Sequence, residues 1–206
     1  MKIQPYKTLN SPNESELKEK RSIFLAKAYP VGNQDDIKNL MNDLKKRYYD
    51  ASHRCNAYRL RSGNSKFSDA GEPSGTAGIR ILNAIDHYEL QDCLVAVIRY
   101  FGGTKMGVSL LGKTYYSAAT KVLSESDIIT KKPYAYAELK LTISSLDKLT
   151  PILVYNQIKV KETTYGAEVR LKCLIPFELV KNIKDRILEM FKGEVVFLTK
   201  DEIFFE

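Results

Sequence analysis

The sequence predicts an α+β protein of two domains, and three observations carry that reading. Short apolar, β-branched runs alternate with stretches whose apolar positions recur every three or four residues, so strands and helices are interleaved. A polar patch, Thr130-Lys131-Lys132-Pro133, reads as a linker. Beyond it the order is strand, helix, strand, strand, helix, strand over about 70 residues, the split βαβ or ferredoxin-like pattern. Domains are therefore expected over residues 1–132 and 133–206 of the 206-residue chain.

The elements follow in order. Residues 22–29 form a strand that the turn at Pro30-Val31-Gly32-Asn33 ends. Ile37, Leu40, Met41, Leu44 and Tyr48 then lie on one face of a helix that Asn33 or Asp35 starts, and Lys38, Lys45, Lys46 and Arg47 occupy its solvated side. Residues 50–60 alternate as a strand, with His53, Cys55 and Ala57 on one face and Arg54, Asn56 and Tyr58 on the other. A loop rich in glycine and hydroxyls spans residues 61–78, and a short helix follows over residues 79–85. Ser74 or Thr76 is expected to cap that helix, and Glu72 to favour its positive end. Leu94-Val95-Ala96-Val97-Ile98 is a buried strand, continued by Arg99-Tyr100-Phe101 and stopped by Gly102-Gly103. Leu110, Leu111, Tyr115, Ala118, Ala119, Val122 and Leu123 then form the apolar stripe of a helix that starts near Val108, with Ser109 as its expected cap.

After the linker, strands are expected over residues 134–143, 158–165, 167–175 and 194–198, with Tyr165-Gly166 as a tight reversal. Helices are expected over residues 146–155 and 177–191, the second burying Val180, Ile183, Ile187, Leu188 and Phe191.

Composition excludes several classes. A hydrophobic content of 44% and a charged content of 28% describe an ordinary globular chain. No apolar run approaches the roughly 18 residues of a membrane span, and the first 20 residues carry no apolar signal region, so the cytoplasm is the expected location. Cys55, Cys93 and Cys173 are widely spaced and accompanied by two histidines, which points away from a zinc site or disulfide framework. The net charge of +7 is compatible with a nucleic-acid or ribosome partner.

Gly107-Val108-Ser109-Leu110-Leu111-Gly112-Lys113-Thr114 fits the phosphate-loop pattern letter for letter. Its context does not fit. Gly107 lies seven residues beyond Tyr100, and the loop would expose Leu110 and Leu111, which the helix stripe buries.

Two places hold candidate ligand contacts. At the turn after the Leu94–Ile98 strand, the amides of Gly102 and Gly103 and a helix N-terminus favour an anion, with Arg99, Lys105 and Lys113 adding positive charge. His53 and Arg54 flank them, and Tyr100 is a candidate for stacking. In the loop, Asp69 and Glu72 are candidates for a cation or a donor-bearing ligand, with Ser74 and Thr76 as hydroxyl contacts. Two acids three residues apart are too few ligands for a metal centre, and none is expected. His53 beside Cys55 suggests a base and nucleophile, yet no orienting third group or oxyanion site accompanies them, so no catalytic residue is assigned.

The run Phe67-Ser68-Asp69-Ala70-Gly71-Glu72-Pro73-Ser74-Gly75-Thr76-Ala77-Gly78, with Val97-Ile98-Arg99-Tyr100-Phe101-Gly102-Gly103 and the distant Ala51-x-His53-x-Cys55, closely resembles the YigZ/Impact family. The resemblance implies a first domain with the fold shared by a ribosomal-protein domain and RNase PH subunits. It implies a second domain similar to the last domain of the elongation factor that drives translocation. Eukaryotic members regulate translation under amino-acid starvation by competing for an activator of an initiation-factor kinase, and bacterial members are implied to bind nucleic acid or ribosomal components. The resemblance brings no catalytic mechanism and no cofactor. The chain departs from the family pattern at Ala70, at Ile79-Arg80 and at Ser109-Leu110, which thins the acidic cluster and stiffens the glycine loop.

Three functions are thus open: a translation-linked regulator contacting RNA, ribosome or other nucleic acid; an enzyme acting on a phosphorylated or nucleotide ligand beside Asp69, Glu72 and Gly102-Gly103; and a module binding a protein partner. None involves a membrane.

Overall fold

The computed structural model describes residues 3–206, apart from the side chain of residue 201. The chain forms two compact units, one of Tyr6–Thr130 and one of Lys131–Glu206 with residues 3–5.

The first unit contains β1 (Tyr6–Leu9), β2 (Asn13–Glu19), β3 (Ser22–Pro30), α1 (Gln34–Arg47), β4 (His53–Arg59), β5 (Ser65–Ser68), α2 (Gly78–His87), β6 (Cys93–Tyr100), α3 (Val108–Ser124) and β7 (Ile128–Lys131). Five of these strands make an antiparallel sheet in the order β2-β3-β6-β4-β5, while β1 pairs with β7. The central strand is buried on both faces, which is why its sequence is continuously apolar rather than alternating. Cys93, Val95 and Val97 join the core against α2 and α3. Leu94, Ala96 and Ile98 face the opposite layer, where Ile37 and Leu44 of α1 pack.

The start of α1 agrees with the sequence reading: Asn33 Oδ1 accepts the Asp36 N–H at 2.9 Å. The other expected caps are replaced. Gly107, with φ +74°, precedes α3 without any side-chain cap from Ser109. Ala77 precedes α2, and neither Ser74 nor Thr76 supplies its cap. Instead the Asp69 carboxylate reaches across the loop to the amides of Gly75, Ala77 and Gly78 at 2.9, 3.0 and 2.8 Å. The loop over residues 61–78 is also more ordered than expected, because Ser65–Ser68 pairs with β4 as an edge strand.

The phosphate-loop resemblance is accidental. Val108–Leu111 is already helical, Gly112 is buried, and the Thr114 hydroxyl donates to the Leu110 carbonyl at 2.8 Å.

The second unit contains β8 (Pro133–Leu141), α4 (Ile143–Tyr155), β9 (Lys159–Thr164), β10 (Val169–Pro176), a 3-10 turn (Phe177–Leu179), α5 (Val180–Phe191) and β11 (Val196–Phe205). Its sheet is antiparallel in the order β11-β8-β10-β9. Ala137, Leu139 and Leu141 pack with Leu149, Ile183 and Ile187 of the two helices in one core. The expected linker is structured: Thr130 and Lys131 complete β7, and Pro133 opens β8. Proline is tolerated there because a strand's first residue needs no ladder donor.

Candidate functional site

One end of the first unit's sheet carries a buried polar cluster. Strand pairing sets Phe24 on β3, Arg99 on β6 and His53 on β4 in one cross-strand row. Cys55 lies two residues further along β4, on the same face, opposite Val97. Tyr115 of α3 covers this row, its ring packing edge-on to Phe24 at a centroid distance of 5.2 Å.

Glu72 reaches into this row from the loop. Its Oε1 accepts from Arg99 Nη1 at 2.7 Å and from the Tyr115 hydroxyl at 2.7 Å. Its Oε2 lies 3.8 Å from His53 Nε2, while His53 Nδ1 is 3.0 Å from the Ala70 carbonyl. Arg99 lies between rings, with Cζ 5.5 Å from the Phe24 centroid and 5.3 Å from that of Phe101. Its Nε is buried without a hydrogen-bond partner. The Cys55 thiol is 2.9 Å from the Asp69 carbonyl and 3.4 Å from the Tyr115 hydroxyl.

Burial pushes the Cys55 thiol up to about 12, opposed by its hydrogen bond with Tyr115. The Tyr115 hydroxyl is also raised, by burial first and then by its Cys55 and Glu72 neighbours. Burial works against the Asp69 charge, but three backbone N–H donors outweigh it and hold the carboxyl below its ordinary value. The cluster thus contains a neutral thiol, a neutral phenol and an ion pair. As arranged, these groups bind one another.

Several sequence-selected residues are therefore engaged by other groups of the chain. Glu72 does not serve the α2 N-terminus; it is buried with Arg99. Arg54 Nη1 donates to the Tyr48 and Ala51 carbonyls at 2.7 and 2.9 Å, closing the end of α1. The Thr76 hydroxyl donates to the Pro73 carbonyl at 2.6 Å, and the Tyr100 hydroxyl to Asp50 at 3.0 Å. Gly102 donates its amide to Ser22 Oγ at 3.1 Å. Ser74, Gly103, Lys105 and Lys113 are exposed. Tyr115 was missed because a tyrosine in a helical apolar stripe reads as core; the signal was its hydroxyl, which needs a partner when buried.

The exposed candidates lead to a second feature. A cleft of about 470 Å³ between α2 and α3 is lined by Arg80, Asn83, Ser109, Gly112, Lys113 and Tyr116. A Cβ on Gly112 would meet Arg80 Nε at 3.3 Å, so the glycine lets the arginine lie along α3. Arg80 and Lys113 are both exposed beside the first turn of α3, which has no side-chain cap.

A two-unit α+β chain, with a glycine-loop ionic cluster closing one sheet end, is the class that these features define. The chain belongs to the YigZ/Impact family: the Impact N-terminal domain matches residues 20–123. It is 25% identical over 194 residues to the IMPACT family member YvyE of Bacillus subtilis, covering 93% of this chain and 89% of that one. It is 24% identical over 187 residues to the IMPACT family member YigZ of Escherichia coli, covering 89% and 92% respectively. Protein IMPACT of Xenopus laevis is 31% identical over 96 residues, which span 44% of this chain and 31% of its own. A crystal structure described as that of an hypothetical protein shares the fold, with a TM-score of 0.66, 22% identity, and coverage of 98% of this chain and 100% of that one.

Among the described residues no helix is long and apolar enough to cross a membrane.

Proposed function

We propose that this Impact-family chain is a non-enzymatic, translation-linked regulator, which acts in the cytoplasm and binds nucleic acid or ribosomal RNA through the cleft between α2 and α3. The observation that carries this is the pairing of Arg80 and Lys113 across the 470 Å³ cleft, beside an uncapped helix N-terminus. Two cations beside a helix N-terminus suit phosphate oxygens. Lys105, exposed in the preceding turn, extends the charge. The non-enzymatic part is supported by the state of the acids: Asp69 and Glu72 are already engaged by amides, Arg99 and Tyr115.

The finer fold assignments belong to the same reading. The strand order β11-β8-β10-β9 supports reading the second unit as a ferredoxin-like βαββαβ domain, the kind that the family resemblance implies for the last domain of the translocation factor. The first unit's sheet and helices suit the ribosomal-protein and RNase PH-like fold, with domains at residues 1–132 and 133–206.

Equilibrium binding to ribosomal RNA and to duplex DNA across a salt series tests the reading. Affinity is expected to fall steeply between roughly 50 and 200 mM salt, because phosphate contacts release counterions. Arg80→Ala with Lys113→Ala is expected to weaken binding and reduce the salt slope by about 2. Binding that ignores salt, or a double variant that binds as wild type, overturns it. A protein partner recovered equally by that variant would favour the protein-interaction reading.

A further inference from the structure

The helices of the second unit pack on one face of its sheet only. Along β8, Ala135, Ala137, Leu139 and Leu141 point into the core, so Tyr136, Glu138 and Lys140 point away from α4 and α5. Along β10, Val169, Leu171 and Cys173 are inside, and Arg170 and Lys172 are outside. On β11, Val196 and Leu198 are outside and about half exposed, at 48% and 46%.

The chemistry of this face is specific. Tyr136 and Phe204 stand side by side on neighbouring strands, ring centroids 6.3 Å apart, with Phe204 39% exposed. Lys200 Nζ lies 4.9 Å above the Tyr136 ring, and Lys159 Nζ 4.6 Å above that of Tyr134. Lys140 and Lys172 rise from the central strands, Lys140 beside Glu138 at 3.9 Å and Lys172 paired with Glu162 at 2.7 Å. Such exposed pairs are worth little and yield to a phosphate.

We infer that this sheet face is a platform for single-stranded nucleic acid, with bases stacked on Tyr136 and Phe204 and the backbone held by Lys140, Arg170, Lys172 and Lys200. Rings interleaved with cations on a rigid sheet match the two surfaces of a single strand, its base faces and its phosphates. A duplex keeps its base faces stacked inside and offers the rings nothing. The platform shares its polymer class with the cleft between α2 and α3, but it rests on different residues and stands or falls separately.

The test uses the whole chain. It contains no tryptophan, so Tyr136→Trp installs a lone fluorescent reporter. An oligouridine of roughly 12 nucleotides is expected to quench that reporter, and the same length of duplex is not. Tyr136→Ala with Phe204→Ala is expected to weaken oligouridine binding by roughly 5- to 150-fold for each stacked base lost, and so about 30-fold or more for the pair, whereas Tyr136→Phe, which keeps the ring, is expected to bind as wild type. Arg80→Ala with Lys113→Ala should leave the quenching in place. If oligouridine binds without quenching, or the alanine variant keeps full affinity with its circular dichroism unchanged, the platform is overturned and the cleft alone is left. Quenching that persists while the cleft variant loses nothing in any assay overturns the cleft and keeps the platform. A reporter that responds only to self-association or to an added protein also overturns it, since the face is then a protein interface.

Discussion

Arg99 and Glu72 form an ion pair, Nη1 to Oε1 2.7 Å, from which water is almost wholly excluded: the side chains are 6% and 3% exposed. Arg99 is the penultimate residue of the apolar strand β6, and Glu72 comes from the loop between β5 and α2. Their contact therefore fastens that loop to the sheet end. Removing one partner leaves the other charged and buried, which costs about 3–5 kcal/mol. Arg99→Ala is expected to lose that much in chemical denaturation. Replacing both by apolar residues, as in Arg99→Met with Glu72→Leu, is expected to cost less than the sum of the single losses. An Arg99→Ala loss below about 1 kcal/mol would contradict the pair's fastening role.

Asp69 ties stability to acid. Its folded carboxyl is held below the ordinary 3.8 by the amides of Gly75, Gly78 and Ala77, against the opposing effect of burial. A depressed folded value means stability that is fully present above the unfolded value and lost as pH falls through the folded one. The loss should therefore begin near about pH 4 and continue below it. Asp69→Asn keeps one acceptor oxygen and no charge, so it is expected to cost about 1.5–3 kcal/mol at neutral pH. Its stability should also change less between roughly pH 5 and 3 than that of the natural chain. Urea midpoints measured across that range check both points, and parallel acid profiles would count against the assignment.

The elements were legible because their cause is local. The continuous apolar run of β6, the helical stripe of α3 and the Asn33 cap each follow from spacing alone. The polar site was legible only as a set of residues. His53, Glu72 and Arg99 were singled out, but what they face depends on strand register and on a loop that folds back over the sheet end. The sequence reading makes Arg99 an anion contact because it stands next to the Gly102-Gly103 turn, and charged residues are rarely buried. Burial became tolerable once Glu72 lay beside it, and nothing in the local sequence announces that partner. The edge strand Ser65–Ser68 was hidden for a similar reason, since its four residues are all exposed and carry no alternation to read.

Gly102 and Gly103 are neighbours that should behave very differently. A Cβ on Gly102 would sit 2.1 Å from the Arg21 carbonyl carbon and 2.5 Å from the Ser22 nitrogen, both backbone atoms that cannot rotate away. Gly102→Ala must push the β2–β3 turn off the end of β6, and is expected to cost more than about 4 kcal/mol. Gly103 has open space around it, and its constraint is φ +82°. Gly103→Ala is expected to cost about 1–2 kcal/mol, the ordinary penalty of a left-handed residue. Thermal unfolding of the two variants side by side gives the ranking, and equal losses would contradict the close approach at Gly102.

The three cysteines offer a direct check on whether a thiol does chemistry here. Burial raises Cys55 and Cys93 to about 12 and Cys173 to about 11, so none is a thiolate near neutral pH. For Cys55 the Arg99 charge that would lower the value is neutralised by Glu72, whose own charge raises it. Iodoacetamide at pH 7.5 is therefore expected to leave all three unmodified in the folded chain and to label all three in denaturant, as read by intact mass. Selective labelling of Cys55 in the folded protein would mean that the loop carrying Asp69 and Glu72 opens readily. In that event the His53 and Cys55 pair would regain its claim as a reactive site, because thiolate formation requires that loop to lift its carbonyl and carboxylate away.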